Sequence, residues 1–248
     1  MTAGFVCIVV ETSGDPTDGD DAVASMIDRG VEGLVYASPA TIGVHASAHL
    51  SHTPVVFANC WPINEADPLA VIVPDEYRGG YDIATAVFDR GHRRVAFLGG
   101  TEGQWATVER RRGFVDAARD AGVDPTGLPE EYGIYSTHSG FTGTERIFSS
   151  ASPTAIICGN DRMALGAMLA LHARHLEVPR DVSIVGYDDQ VNLADELTPG
   201  LTTVALPFFQ MGYIAGRTMI KHERQEERIV VDCDVIIRDS LGPADTFW

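Results

Sequence analysis

Two kinds of apolar spacing alternate along this chain. Short runs rich in Val, Ile and Phe recur at Phe5 to Val10, Gly33 to Tyr36, Pro54 to Ala58, Ala70 to Val73, Arg94 to Leu98, Tyr132 to Tyr135, Ala155 to Cys158, Val182 to Val185 and Ile229 to Ile237, and they predict strands. Between them, apolar residues three and four apart predict helices over Tyr77 to Asp89, Val108 to Ala121, Arg162 to Ala173 and Gln210 to Lys221. Strand alternating with helix through Gly- and Asp-rich turns is the pattern of a parallel sheet covered on both faces, so the expected fold class is α/β. No repeat, low-complexity tract or long linker interrupts the pattern. The first expected strand begins within a few residues of Met1, with no strand-helix unit ahead of it.

Composition narrows the picture. A length of 248 residues suits one large unit or two small lobes. With 45% hydrophobic and 21% charged residues, the chain has the balance of a globular protein and not of a disordered or coiled-coil one. Its 18 Lys and Arg against 35 Asp and Glu leave a net charge of -17, a surface that repels phosphate polyanions, so this chain alone is not expected to hold DNA. Cys7, Cys60, Cys158 and Cys233 lie far apart, with no CxxC pair, which reads as packed thiols in a reducing compartment. The opening "MTAGFVCIVVETSGD" has no basic residue ahead of its apolar run and no small-residue cleavage site after it, and no run approaches the ~18 apolar residues of a membrane helix. The expected location is the cytosol, without a membrane partner.

Candidate chemistry gathers where strands end. In open α/β sheets ligands bind beyond the carboxyl ends of the strands, where loops carry polar groups that the strands hold in place. Asn160 follows "TAIICG", Asn59 follows "PVVFA" and Asp188 follows "VSIVGY". Three short polar side chains so placed form a cradle for an uncharged ligand with vicinal hydroxyls. The competing reading is that Asn160 and Asp161 cap the next helix and Asp188 makes a turn. His45, His49 and His52 have a spacing that suits a metal on one helix face, but with no HExxH pattern or Cys partner a solvated face is the better explanation. The acidic stretch "DPTDGDD", residues 15–21, lacks the alternating ligands and distal Glu of a calcium loop and reads instead as a capped helix start. There is no GxSxG elbow and no Walker loop, and "GGTEG" at 99–103 is not a dinucleotide fingerprint. No enzyme, cofactor or metal is expected.

"TAIICGNDRMALGAMLAL", "VPRDVSIVGYDD" and "LTPGLTTVALPFFQMG", in that order, resemble the effector-binding core of the lactose/galactose repressor (LacI/GalR) family of bacterial transcription regulators. "DRGVEGLVY", "GHRRVAFLGG" and "ERRRGFVDAARDAGV" fit the same family, and the resemblance covers nearly the whole chain. It implies a periplasmic-binding-protein-like (type I) fold: two doubly wound parallel-sheet lobes joined by three crossovers, with a ligand closed between them. The lobes would take residues 1–99 plus 207–223, and 100–204 plus 229–238. Such lobes rotate about a hinge when ligand bridges them. Carried over by position, the family's ligand contacts fall on Asn59, Arg110, Tyr135, Asn160, Asp188 and Phe208. Arg110 would supply a planar fork of donors, Asp188 would accept from paired hydroxyls, and an aromatic face would cover the apolar side of a sugar ring. For Tyr135 and Phe208 ordinary core packing is the alternative, and for Arg110 a solvated helix face. The implied function is the effector-sensing and dimerisation core of a DNA-binding regulator, a probable repressor, taking a small polar effector of the sugar type. A free-standing sugar-binding protein for transport is the alternative.

The chain departs from the family in two ways. Asn59 stands where the family usually has Asp, which removes one charge and points to a neutral ligand. Ahead of the effector domain the resemblance implies a helix-turn-helix, a hinge helix and a first strand and helix, and none of these is in the sequence. An incomplete sheet leaves unpaired backbone edges. A start that cuts a full repressor is therefore favoured over a natural truncation or a gap filled by a partner, and DNA would be read only through a headpiece not present here.

Overall fold

The computed structural model describes residues 4–13, 16–225 and 227–244. Strands and helices alternate through it, as α1 (Pro16–Asp28), β1 (Leu34–Val44), β2 (Val55–Pro62), β3 (Ala70–Pro74), α2 (Glu76–Asp89), β4 (Val95–Gly99), α3 (Trp105–Asp120), β5 (Glu130–Tyr132), α4 (Thr137–Ser150), β6 (Ala155–Cys158), α5 (Asp161–Ala173), β7 (Ser183–Val185), β8 (Thr203–Ala205), α6 (Phe208–Lys221), β9 (Ile229–Val231) and β10 (Asp234–Ile236). The fold class is α/β, as expected. The chain divides into two units, 1–73 with 209–229, and 74–208 with 230–248. Residues 74–99, expected with the first lobe, pack in the second unit. The reason is that β4 is an inner strand of that unit's sheet and α2 lies against α3.

One sheet has the order β1-β2-β3-β9, with β1, β2 and β3 parallel. Val55, Phe57 and Cys60 of β2 are buried with Val23 of α1 and with Ala46 and Leu50. The β1 register slips between Ala37 and Ile42, which pair with Ala58 and Cys60. The expected strand at Phe5 to Val10 does not form. Those residues are exposed and lie in no ladder among the described residues, because apolar composition marks a strand but only a neighbouring edge can make one. Of the acidic stretch 15–21, Asp15 lies outside the described residues and the rest opens α1. The histidine-bearing segment is a short 3-10 helix, Ala48–His52, and not an α-helix.

The second unit holds the parallel sheet β5-β4-β6-β7. Its inner strands are buried on both faces, which is why they read as continuous apolar runs. Val95 and Phe97 face the α2 and α3 side with Phe88 and Phe114. Ala96 and Leu98 face the α4 and α5 side with Ile147 and Met163. The two-residue period of the strand thus feeds two cores. The expected strand at Tyr132 to Tyr135 is displaced to Glu130–Tyr132, and Tyr135 turns out of the extended region with φ 58. β8, missed in the sequence, pairs antiparallel with β10 and is joined to the end of β7 by single bridges at Val185 to Thr202 and Asp188 to Ala205. Among the described residues no helix is long and apolar enough to cross a membrane.

Candidate functional site

α5 begins where β6 ends, and Asn160 makes that junction. Its Oδ1 accepts from the Met163 amide at 2.9 Å and its Nδ2 donates to the Tyr135 carbonyl at 3.3 Å. The capping alternative is therefore correct as far as it goes. The same amide also ties the tip of β6 to the loop after β5. Asp161 is fully buried in the first turn, where its carboxylate accepts from Thr203 Oγ1 and the Gln190 amide, both at 2.6 Å. Burial raises its pKa to about 6 against those two hydrogen bonds.

Arg110 reaches this junction from α3, and it is buried, not solvated. Two glycines set its position: an ideal Cβ on Gly80 of α2 would fall 2.4 Å from the Arg110 carbonyl oxygen, and one on Gly113 would fall 2.3 Å from the Tyr77 carbonyl. The two helices can cross this closely only because both positions lack a side chain. Arg110 Nε donates to Glu76 Oε2 at 2.7 Å, Nη2 to Glu76 Oε1 at 3.0 Å and Nη1 to the Gly159 carbonyl at 2.6 Å. The Arg110 Cζ lies 3.5 Å from the centroid of the Tyr187 ring, a cation held over an aromatic face. Burial works against its charge, but Glu76, Tyr187 and Asp188 raise its pKa well above the ordinary value.

Asp188 follows β7, with Oδ1 3.8 Å from Arg110 Nη2. Burial, with the charges of Asp161 and Glu76, pushes its pKa up to about 7, while Arg110 and a hydrogen bond from Asn160 pull the other way. A carboxyl raised this far accepts hydrogen bonds when ionised and can donate one when protonated. Tyr135 lies over Gly100, its hydroxyl 2.7 Å from Thr107 Oγ1. Phe208 is half exposed at the start of α6.

The structure thus brings Arg110, Tyr135, Asn160 and Asp188 together at the carboxyl ends of β4, β6 and β7. Asn59 belongs to the first unit. It is buried at the end of β2, its Oδ1 accepts from Thr41 Oγ1 at 2.7 Å and its Nδ2 donates to the Ser38 carbonyl at 2.9 Å. Both ends of that amide serve the irregular stretch of β1. Asn59, Tyr135 and Asp188 have φ of 58, 58 and 109. Such backbone is sterically costly outside glycine and gathers at functional sites.

Residues 84–241 match the model of the periplasmic binding protein-like domain. The chain is 28% identical over 256 residues to the HTH-type transcriptional regulator DegA of Bacillus subtilis (strain 168), covering 98% of this chain and 74% of that protein. It is 32% identical over 186 residues to the HTH-type transcriptional repressor PurR of Escherichia coli O1:K1 / APEC, covering 72% of this chain and 53% of that protein. The chain belongs to the lactose/galactose repressor (LacI) family. Among solved structures it is similar to a LacI-family regulator protein from Rhizobium etli, with a TM-score of 0.82 at 26% identity over 94% of this chain and 87% of that one. It is also similar to the transcriptional regulator CelR in its cellobiose complex, with a TM-score of 0.74 at 25% identity over 91% and 71%. LacI-family members are regulators and not enzymes, which agrees with the expectation from the sequence.

Two residues of this cluster escaped the sequence reading. Glu76 looks like an ordinary acidic residue in the first turn of a helix, where the helix dipole favours it. Nothing local announces that it is 2% exposed. Tyr187 reads as strand-end packing, yet it is the platform for Arg110, and its buried hydroxyl has no hydrogen-bond partner of ordinary geometry among the described residues. The one available signal is the pair of glycines in "EYRGG" and "RRRGF", which marks a close helix crossing between Glu76 and Arg110.

Proposed function

We propose that this chain is the effector-sensing domain of a bacterial LacI-type transcription regulator, and that its effector is a small sugar. The reading rests on one observation: Arg110, Asn160 and Asp188, from three separate segments, converge on the strand ends of the second unit, where Arg110 donates to the Gly159 carbonyl next to Asn160 and lies 3.8 Å from Asp188. A sugar presents paired hydroxyls that both donate and accept. Asp188 and the Arg110 donors offer both partners, and Tyr135 and Phe208 offer aromatic faces. The cellobiose complex of CelR supports the ligand class. The effector works by binding one state of the regulator better than the other. DNA is read by a separate helix-turn-helix domain, of the kind the names of the relatives denote, because the net charge of -17 disfavours DNA on this surface. A cytoplasmic homodimer matched to paired half-sites is the working form.

Calorimetric titration of the chain with neutral mono- and disaccharides, cellobiose included, tests the reading. At least one sugar should bind, and Arg110→Ala and Asp188→Asn should each weaken it by about tenfold or more, since each removes a buried hydrogen-bonding partner. Folded variants that bind as tightly as the parent would remove the site from consideration.

A further inference from the structure

We propose that Glu76 sets the charge class of the effector: by filling the fork of Arg110 it reserves the site for uncharged, hydroxyl-bearing molecules and turns away carboxylates and phosphates. The proposal rests on the reading that the Arg110 and Asp188 cluster is the ligand site. An arginine recognises an anion best through two parallel N–H bonds to two oxygens. In this chain the edge that would do so, Nε with Nη2, is already bonded to both oxygens of Glu76 at 2.7 and 3.0 Å. A third N–H goes to the Gly159 carbonyl. Of the five N–H donors of a guanidinium, one is left on each terminal nitrogen, and the Nη2 side faces Asp188 at 3.8 Å.

An arriving anion would have to displace a nearly fully buried carboxylate to gain the fork. Failing that, it would share a single N–H while facing Glu76 and Asp188. Arg238, whose charge acts on Asp161, is held by Asp189 at 2.8 Å and donates to the Leu201 carbonyl. Negative charge therefore outweighs positive around the free Arg110 donors, and like charges repel at this range. A hydroxyl meets no such obstacle: its oxygen accepts one N–H of Arg110 and its O–H donates to a carboxylate oxygen of Asp188. Glu76 acts through Arg110 and is a positioning residue. Its signature is the ratio of anionic to neutral affinity, which a purely structural role leaves unchanged.

The experiment compares the parent chain with Glu76→Gln, using inorganic phosphate and the matched pairs galactose with galacturonate and glucose with glucuronate, by calorimetry at neutral pH. The parent should show no phosphate binding and, within each pair, should favour the neutral sugar. Glu76→Gln should bind phosphate measurably, at least about tenfold more tightly than the detection limit that bounds the parent, and shift the ratio within each pair toward the acid, because the fork now carries an uncompensated charge. Glu76→Asp keeps the charge beside Arg110 and withdraws it by one methylene. It should move the ratio the same way by less, and it serves if the glutamine variant does not fold. A parent that prefers the acids, or folded variants that gain nothing for phosphate, would overturn the proposal. Gain of phosphate binding without binding of any neutral sugar would uphold the charge role and count against the sugar reading alone.

Discussion

Gly80 of α2 abuts the backbone of Arg110 in α3 so closely that a Cβ there would stand 2.4 Å from the Arg110 carbonyl oxygen and 2.7 Å from its Cα. Because the obstacle is backbone, no side-chain rotation relieves it. Gly80→Ala is therefore expected to force the helices apart and to cost about 1 to 3 kcal/mol, even though alanine is the better helix former. Urea denaturation should show the loss of stability. Titration with a sugar found to bind the parent should show a parallel loss of affinity, since Arg110 moves with α3.

The raised carboxyls give the fold a pH dependence of defined sign. Asp188 has a folded pKa of about 7 and Asp161 of about 6, against an ordinary 3.8. The folded chain thus holds these protons at pH values where the unfolded chain has lost them. Their contribution is fully present below about pH 4, falls as pH rises through the window up to about 7, and changes no further above it. The drop is on the order of a few kcal/mol. Asp188→Asn, which has no charge to bury, should flatten the upper part of the window in denaturation midpoints recorded from pH 4 to pH 8.

Asn160 does two jobs that substitution separates. Asn160→Ala removes the acceptor for the Met163 amide and is expected to cost about 1 kcal/mol. Asn160→Ser restores a capping oxygen but has no amide to donate to the Tyr135 carbonyl. Stability should return toward that of the parent while sugar affinity stays low. Recovery of both in the serine variant would show that the amide matters only as a cap.

Asn59→Asp is expected to be harmful here. The new carboxylate would set an oxygen against the Ser38 carbonyl, which now accepts from Asn59 Nδ2 at 2.9 Å. Two buried acceptors facing each other cost about 1 to 3 kcal/mol. The φ of 58 is not the obstacle, because Asp tolerates the left-handed region much as Asn does. Protonation restores a donor, so the loss should shrink as pH is lowered, which a denaturation series at falling pH will show.

Much of this protein is decided locally and so can be read from the chain. Runs such as Ala155 to Cys158 are apolar because both faces of their sheet are covered. Asn160 and Asp75 stop strands and start helices because a side-chain oxygen there satisfies an amide two or three residues on. The polar strand ends follow from the same rule. What needed the tertiary structure lies in long-range approach. Phe5 to Val10 has the composition of a strand, yet it lacks a ladder partner among the described residues. Residues 74–99 join the second unit because β4 pairs with β5 and β6. Glu76 becomes the partner of Arg110 across 34 positions, because two helices meet at glycines and exclude water from both charges. Periodicity and capping depend on neighbours in sequence, whereas burial and charge pairing depend on which surfaces the folded chain presses together.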